Sequence, residues 1–327
     1  MHGGAGGARL DPRRGLRLAM AAGLPLWLAA ACAWSVPNDA VTAGAAPALP
    51  FVGAPFGCVE DSRAHLLPPS LSESSGIASG TSVLWSHNDS GHPAELFALD
   101  PRGRLLGVTR VSGARNVDWE DLASGPCPTG GHCLYIADVG DNLERRTDPA
   151  IYRIPEPDPA DSVSAPAERF PLRLPDGPRD IEAMYLLPGE RLFLVTKGRN
   201  HPVELYRVPP LSAPDHPLNV ERVQTLTPRR PSFPRLVTGA GASADGRIVA
   251  VRTYETLEFF VPLGEGSLAP IPGGRINLRP LREPQGEAVA ILPGGRIVLT
   301  SEAGPGLERG ALQFLSCPGL LDELGSR

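Results

Sequence analysis

The chain has 327 residues, 42% hydrophobic and 20% charged, enough for one large packed domain and too apolar for wholesale disorder. It holds 37 glycines and 37 prolines, a composition that suits short strands joined by turns and excludes a mainly helical protein. Net charge is −5, and becomes −8 without residues 1–31, which argues against a nucleic-acid partner.

Residues 9–17 carry Arg9, Arg13, Arg14 and Arg17, and residues 18–33 are almost wholly apolar. A basic stretch, a short apolar run and small residues at its end describe a secretory signal peptide over 1–32. The run is short for a membrane span, and Gly23 and Pro25 interrupt it. Cys32 follows Leu28-Ala29-Ala30-Ala31, a lipobox-like setting that marks it for lipidation; ordinary cleavage after Ala33 is the alternative. Residues 33–57, rich in Ala, Pro, Val and Gly, read as a tether. The rest, 58–320, reads as one domain outside the cytoplasm, either lipid-anchored or secreted. A monomer that meets the membrane only through its anchor is expected.

Five segments of the body share one pattern: a small or acidic residue, an apolar strand, a Gly-bearing turn, a second apolar strand and a third. The first strands begin near Ser75, Glu120, Glu182, Thr238 and Glu287. The third and fifth units align without a gap, EAMYLLPGERLFLVT against EAVAILPGGRIVLTS. Fourth strands follow the first four units. This predicts an all-β fold, a β-propeller of five four-stranded blades, with six as the alternative should the 62-residue spacing from 120 to 182 hide a blade. The fifth unit lacks a fourth strand, and Gly57–Leu67 is available to complete it and close the ring.

Four cysteines remain beyond Cys32, and in an oxidising compartment they suggest two bridges. Cys58 and Cys317 lie near the two ends of the folded region, where a bridge would staple the closure. Cys127 and Cys133 bracket a short loop. A zinc site from Cys127, His132 and Cys133 lacks a second ligand pair at normal spacing.

In a propeller the starts of first strands and the ends of second strands meet at one face. That geometry collects Ser75, Glu120, Glu182, Thr238 and Glu287 around the axis. Three glutamates at equivalent positions cannot all be ionised and unpaired, and a cation resolves the conflict. The donors are all oxygen, which favours Ca²⁺ over zinc. Lys197, Arg252, Tyr254 and Glu302 are candidates to grip a small anionic ligand, and His87, Asp89 or Asp138 to orient water. The bland reading of Lys197 and Arg252 is salt-bridge partners of the acids. No nucleophile elbow, P-loop or dinucleotide fingerprint is present.

The segments Ser74–Asp89, Asp118–Asp138 and Asp180–Lys197 resemble secreted bacterial propellers, and are distantly similar to β-propeller phytases and phytase-like esterases. A five-bladed calcium-activated apyrase is a further likeness. These resemblances imply axial Ca²⁺ with acidic and basic residues at a phosphate. Trp119–Leu122 and Gly140–Asn142 are also similar to uncharacterised exported proteins, a likeness that implies no activity. The expectation is an exported (lipo)protein with an axial Ca²⁺ site, acting as a ligand-binding protein or a metal-dependent phosphoester hydrolase. The alternative is a non-catalytic propeller that binds another envelope protein. A glycosidase ranks third, since 6% aromatic residues leave few platforms for sugars.

Overall fold

A computed structural model describes residues 56–61 and 63–320. The signal segment, Cys32 and most of the tether lie outside the described residues. No helix among the described residues is long and apolar enough to cross a membrane.

Five sheets, antiparallel but for one short edge strand, form five blades, and the first four are laid down in chain order from the axis outward. The inner strands are Ser74–Ser79, Trp119–Pro126, Ile181–Leu187, Val237–Ala242 and Gln285–Leu292. The second strands are Leu84–Asn88, His132–Asp138, Arg191–Thr196, Val249–Thr253 and Arg296–Glu302. The fifth blade is completed from the N-terminal side. Val59–Glu60 pairs with the third strand, Ala311–Ser316, with Val59 opposite Ser316. The Cys58–Cys317 disulfide sits beside that pairing, and Cys127–Cys133 closes a loop of blade 2. Both bridges agree with the expectation of an oxidising compartment.

The long spacing from 120 to 182 hides no sixth blade. Blade 2 has long connections on either side of its third strand, Ala150–Pro155, and gains a short parallel strand, Leu218–Asn219, at its outer edge. Alternating apolar residues of neighbouring blades interdigitate, so the core is five wedges around the ring. Trp85 and Trp119 fill the wedge between blades 1 and 2, and Phe56 joins the wedge between blades 4 and 5. Both indoles are buried and hydrogen-bonded, Trp85 Nε1 to Glu156 and Trp119 Nε1 to the Arg115 carbonyl, each at 2.9 Å.

Each inner strand carries the same irregularity near its start. The register against the second strand slips between Ser74 and Gly76, Trp119 and Asp121, Ile181 and Ala183, Val237 and Gly239, and Gly286 and Val289. A bulge leaves one residue unpaired and re-aims its side chain. The residues so placed are Ser75, Glu120, Glu182, Thr238 and Glu287, and all are buried.

Candidate functional site

The five bulged residues form the inner ring of one mouth of the axial channel. Two hydroxyls of this ring are already engaged. Ser75 Oγ donates to the Glu120 carbonyl at 2.7 Å, and Thr238 Oγ1 donates to the Glu287 carbonyl at 2.9 Å. Each ties one blade to the bulge of the next.

A second ring comes from the residues that follow the paired ends of four second strands, Asp89, Val139, Lys197 and Tyr254, and from Glu302, which is the last paired residue of the fifth, opposite Gln285. A third lies two residues before each bulge and supplies Glu73, Asp118 and Asp180. Main-chain bonds join these levels, Asp89 N–H to the Glu73 carbonyl and Lys197 N–H to the Asp180 carbonyl, both at 2.9 Å. Lys197 is the one lysine of the chain, and its ammonium pairs with Glu182.

The carboxyls crowd one another. Asp89, Asp118 and Glu120 each bring an oxygen within 4.8 Å of the other two. Burial, then the neighbouring Glu182, Asp89 and Asp118, push Glu120 well above the usual carboxylate range. Burial and the charge of Asp89 raise Asp118 to about 6. Burial, then Asp89 and Glu73, raise Glu302 to about 7. Burial and Glu302 likewise lift Glu287. Glu182 is raised by burial even beside Lys197. Burial works against the Lys197 ammonium, but Glu182, Tyr254 and Glu120 outweigh it and hold the proton there. One Asp180 oxygen is buried with no hydrogen-bond partner.

Gly140 allows this crowding. A methyl group there would collide with the Glu120 and Asp118 carboxyls. The turn around it is held by Asp141, whose N–H reaches Asp180 Oδ1 at 3.2 Å and whose carboxylate accepts the Arg146 N–H at 2.6 Å.

Three expected site residues lie elsewhere. His87 and Arg252 occupy equivalent places on their second strands, opposite Gly76 and Gly239. Strand alternation turns that place between blades, and both side chains are 0% exposed. His87 packs edge-on against Trp119, ring centres 5.4 Å apart, and burial lowers its pKa to about 4. The imidazole is held neutral and away from solvent, so it is no base for water in the mouth. The Arg252 guanidinium donates to the Ala288 carbonyl at 2.6 Å and the Thr300 carbonyl at 3.0 Å, and pairs with Glu283. It fastens blade 4 to blade 5 and has no reach to a ligand. Asp138 accepts the Asp118 N–H at 3.0 Å and Arg146 Nη2 at 2.8 Å, so it holds the turn in place. Its neighbour Val139 holds the mouth-facing place. The metal set lacked Asp89, which was expected to orient water, and Asp118. The signal for Asp118 was the spacing of two before a bulged glutamate, shared with Asp180 before Glu182.

Below the inner ring the channel is crossed by one side chain. Asp121 takes the position after the bulge, where the other blades have Gly76, Ala183, Gly239 and Ala288. Its Oδ1 accepts the Leu122 N–H at 2.8 Å, and its Oδ2 accepts the N–H of Met184 at 2.8 Å and of Ala240 at 3.1 Å. Burial presses this carboxyl toward its neutral form, and the three N–H donors oppose that. A carboxyl reaching inner strands of blades 2, 3 and 4 lies on the axis.

No protein-family model and no curated protein matches the chain. Solved structures of similar fold include a PQQ-bound aldose sugar dehydrogenase of Streptomyces coelicolor, 13% identical over 79% of this chain and 97% of that one, with a TM-score of 0.45. The soluble aldose sugar dehydrogenase of Escherichia coli is 12% identical over 78% of this chain and 99% of its own, with a TM-score of 0.47. A gluconolactonase of Xanthomonas campestris is 13% identical over 84% and 99%, with a TM-score of 0.42. These comparisons lend no support to the likeness to phytases, phytase-like esterases or apyrases. The chain is a β-propeller similar in fold to sugar dehydrogenases and gluconolactonases, and at this distance the likeness carries no argument about activity.

Proposed function

We propose that the acidic mouth is a divalent-cation site, selective for Ca²⁺, through which the protein binds a small anionic ligand. The observation that carries this reading is the mutual approach of Asp89, Asp118 and Glu120 within 4.8 Å, among further carboxyls that outnumber the nearby cations, Lys197 on Glu182, Arg146 on Asp138 and Arg199 at 3.9 Å from Asp180. The donor set is all oxygen, as Ca²⁺ prefers, and contains no histidine or cysteine. Asp180, whose Oδ2 has no hydrogen bond and only Arg199 Nε at 3.9 Å, fits the same demand for positive charge. Ser75, Thr238 and Glu287 close the inner ring around this set, and Glu182 is neutralised by Lys197.

A bound cation supplies Lewis acidity to an oxygen of the ligand. Glu302, with a pKa near 7 and outside the cation set, is placed to hold or release a proton near neutral pH. Tyr254, on the same ring as Lys197 and Glu302, offers a hydroxyl. Hydrolysis of a phosphoester is the catalytic form of this reading. The commitment of Lys197 to Glu182 and of Arg252 to Glu283 means that the cation, and not a basic clamp, would have to hold the phosphate. That commitment also favours the second reading, a structural cation in an envelope protein-binding disc. In either case an exported and lipid-anchored chain fits the leader and Cys32. Phosphatase and esterase assays in Ca²⁺ and in EDTA separate the two. Turnover that needs Ca²⁺ and is lost in Glu120→Gln supports the enzyme. Ca²⁺ binding without turnover supports the disc, and no Ca²⁺ binding contradicts both.

A further inference from the structure

Asp121 divides the channel, and the half beyond it is a cavity of about 690 Å³ that opens on the face opposite the acidic mouth. None of the acidic mouth residues lines it. Its floor is the ring next to Asp121: Ile77, Leu122, Met184, Ala240 and Val289.

Two features define what it can hold. The first is the main chain of the inner strands. Leu122, Met184 and Ala240 turn their N–H groups to the axis, where Asp121 accepts them. These residues are therefore in the pairs that make no ladder bonds to the second strand. Ile77, opposite Ser86, and Val289, opposite Leu299, hold the same register. Their N–H and C=O groups face the same space, as do those two residues farther along at Ser124 and Ala242, while the Ser79 carbonyl already accepts the Ser124 hydroxyl at 2.6 Å. The second feature is the state of the ionisable groups in the lining. His132 is held by Glu156 at 2.8 Å. Glu190 is held by Arg153 and by Tyr135 Oη at 2.9 Å. The remaining wall is mostly Ala, Gly, Pro, Leu, Ile and Met.

We infer that this far cavity is a second binding site, for a neutral compact molecule with a largely apolar body and one or two carbonyl or hydroxyl oxygens. The volume lies in the range of small-molecule sites. An apolar body replaces water against the aliphatic wall, and main-chain N–H and C=O groups supply the polar anchors that such an oxygen needs. A charged ligand would lose its hydration and find no uncommitted counter-ion here. An anion would also meet Asp121.

The test uses the full protein and two fluorescent probes, neutral Nile red and anionic 1-anilinonaphthalene-8-sulfonate. Saturable binding of one Nile red is expected, the same in Ca²⁺ and EDTA, at least tenfold tighter than the anionic probe. Ala242→Phe, which fills the cavity, should weaken it at least tenfold. Ser79→Leu serves as a second filling variant should the first fail to fold, with folding checked by thermal unfolding. Leu307→Ser, which removes an exposed apolar residue outside the cavity, should leave binding unchanged. No saturable binding, more than one site, a preference for the anionic probe, or binding untouched by both filling variants would overturn the inference.

Discussion

The Asp121 carboxylate on the inner strand of blade 2 accepts the main-chain N–H of Met184 on blade 3 at 2.8 Å, and the same oxygen accepts Ala240 of blade 4. One side chain thus satisfies N–H groups that inner strands of a ring would otherwise leave facing an apolar channel. Gly76 and Gly239, at the equivalent places, admit other close neighbours: a methyl group at Gly76 would collide with His87 and the Asp121–Leu122 backbone, and one at Gly239 with the Glu287 carbonyl.

Asp121→Ala leaves three buried N–H groups without their acceptor. Each such loss costs about 1–3 kcal/mol. The variant should lose at least about 3 kcal/mol in urea unfolding, and Asp121→Asn less, because one oxygen remains. A loss below about 1 kcal/mol for the alanine variant would mean that water replaces the carboxylate at no cost.

The acidic mouth sets a pH dependence. A carboxyl whose folded pKa exceeds its unfolded value contributes stability that is whole below the unfolded value, near 4, and is lost as pH rises through the folded one. For Asp118 and Glu302 that loss begins near pH 4 and is complete above about pH 6 and 7. His87 acts the other way: its folded pKa of about 4 is below 6.5, so its contribution is whole above pH 6.5 and lost as pH falls toward 4. The raised carboxyls outnumber His87, so thermal stability in EDTA should be highest near pH 4–5 and fall toward pH 8. With Ca²⁺ present the fall should vanish, since the cation replaces the protons. Parallel curves in EDTA and Ca²⁺ across that range would contradict the site.

Lys197→Met leaves Glu182 buried among carboxyls with no cation. Breaking a buried pair from one side costs about 3–5 kcal/mol. The loss should be large in EDTA at pH 8 and smaller at pH 5, where Glu182 takes up a proton. Double substitution with Glu182→Gln should recover much of it. A variant as stable as the parent at pH 8 would show that the pair is solvated.

The Cys58–Cys317 bridge joins residues 259 apart in sequence and closes the ring. Its removal as a Cys58→Ala, Cys317→Ala pair should cost about 2–5 kcal/mol, and removal of Cys127–Cys133, which closes a loop of few residues, less. Urea unfolding of the two double variants gives the order directly.

Blade count, closing strand and disulfides were legible because they rest on repetition and on the position of cysteines. So were the five bulged positions, since a recurring small or acidic residue before an apolar run marks them. Side-chain direction at the strand ends was not. His87 and Arg252 lie two places before the mouth residues Asp89 and Tyr254, inside the paired strand, whereas the chain turns into the mouth only after its last paired residue, Asn88 or Thr253. Asp138 is itself such a last paired residue, one place before Val139. Asp121 was invisible as a functional carboxylate because its partners are main-chain N–H groups, which no residue pattern records. The far cavity, lined by ordinary small residues, left no mark either.

The central claim, a cation held by Asp89, Asp118 and Glu120, is tested most directly by Ca²⁺ titration of metal-free protein at pH 7.5, followed by calorimetry and thermal unfolding. One site should appear, with Tm raised by roughly 5–10 °C at a hundredfold excess over Kd, and both signals absent in Glu120→Gln and Asp118→Asn that remain folded. No heat and no shift with the parent protein, or a site that survives both substitutions, would contradict it.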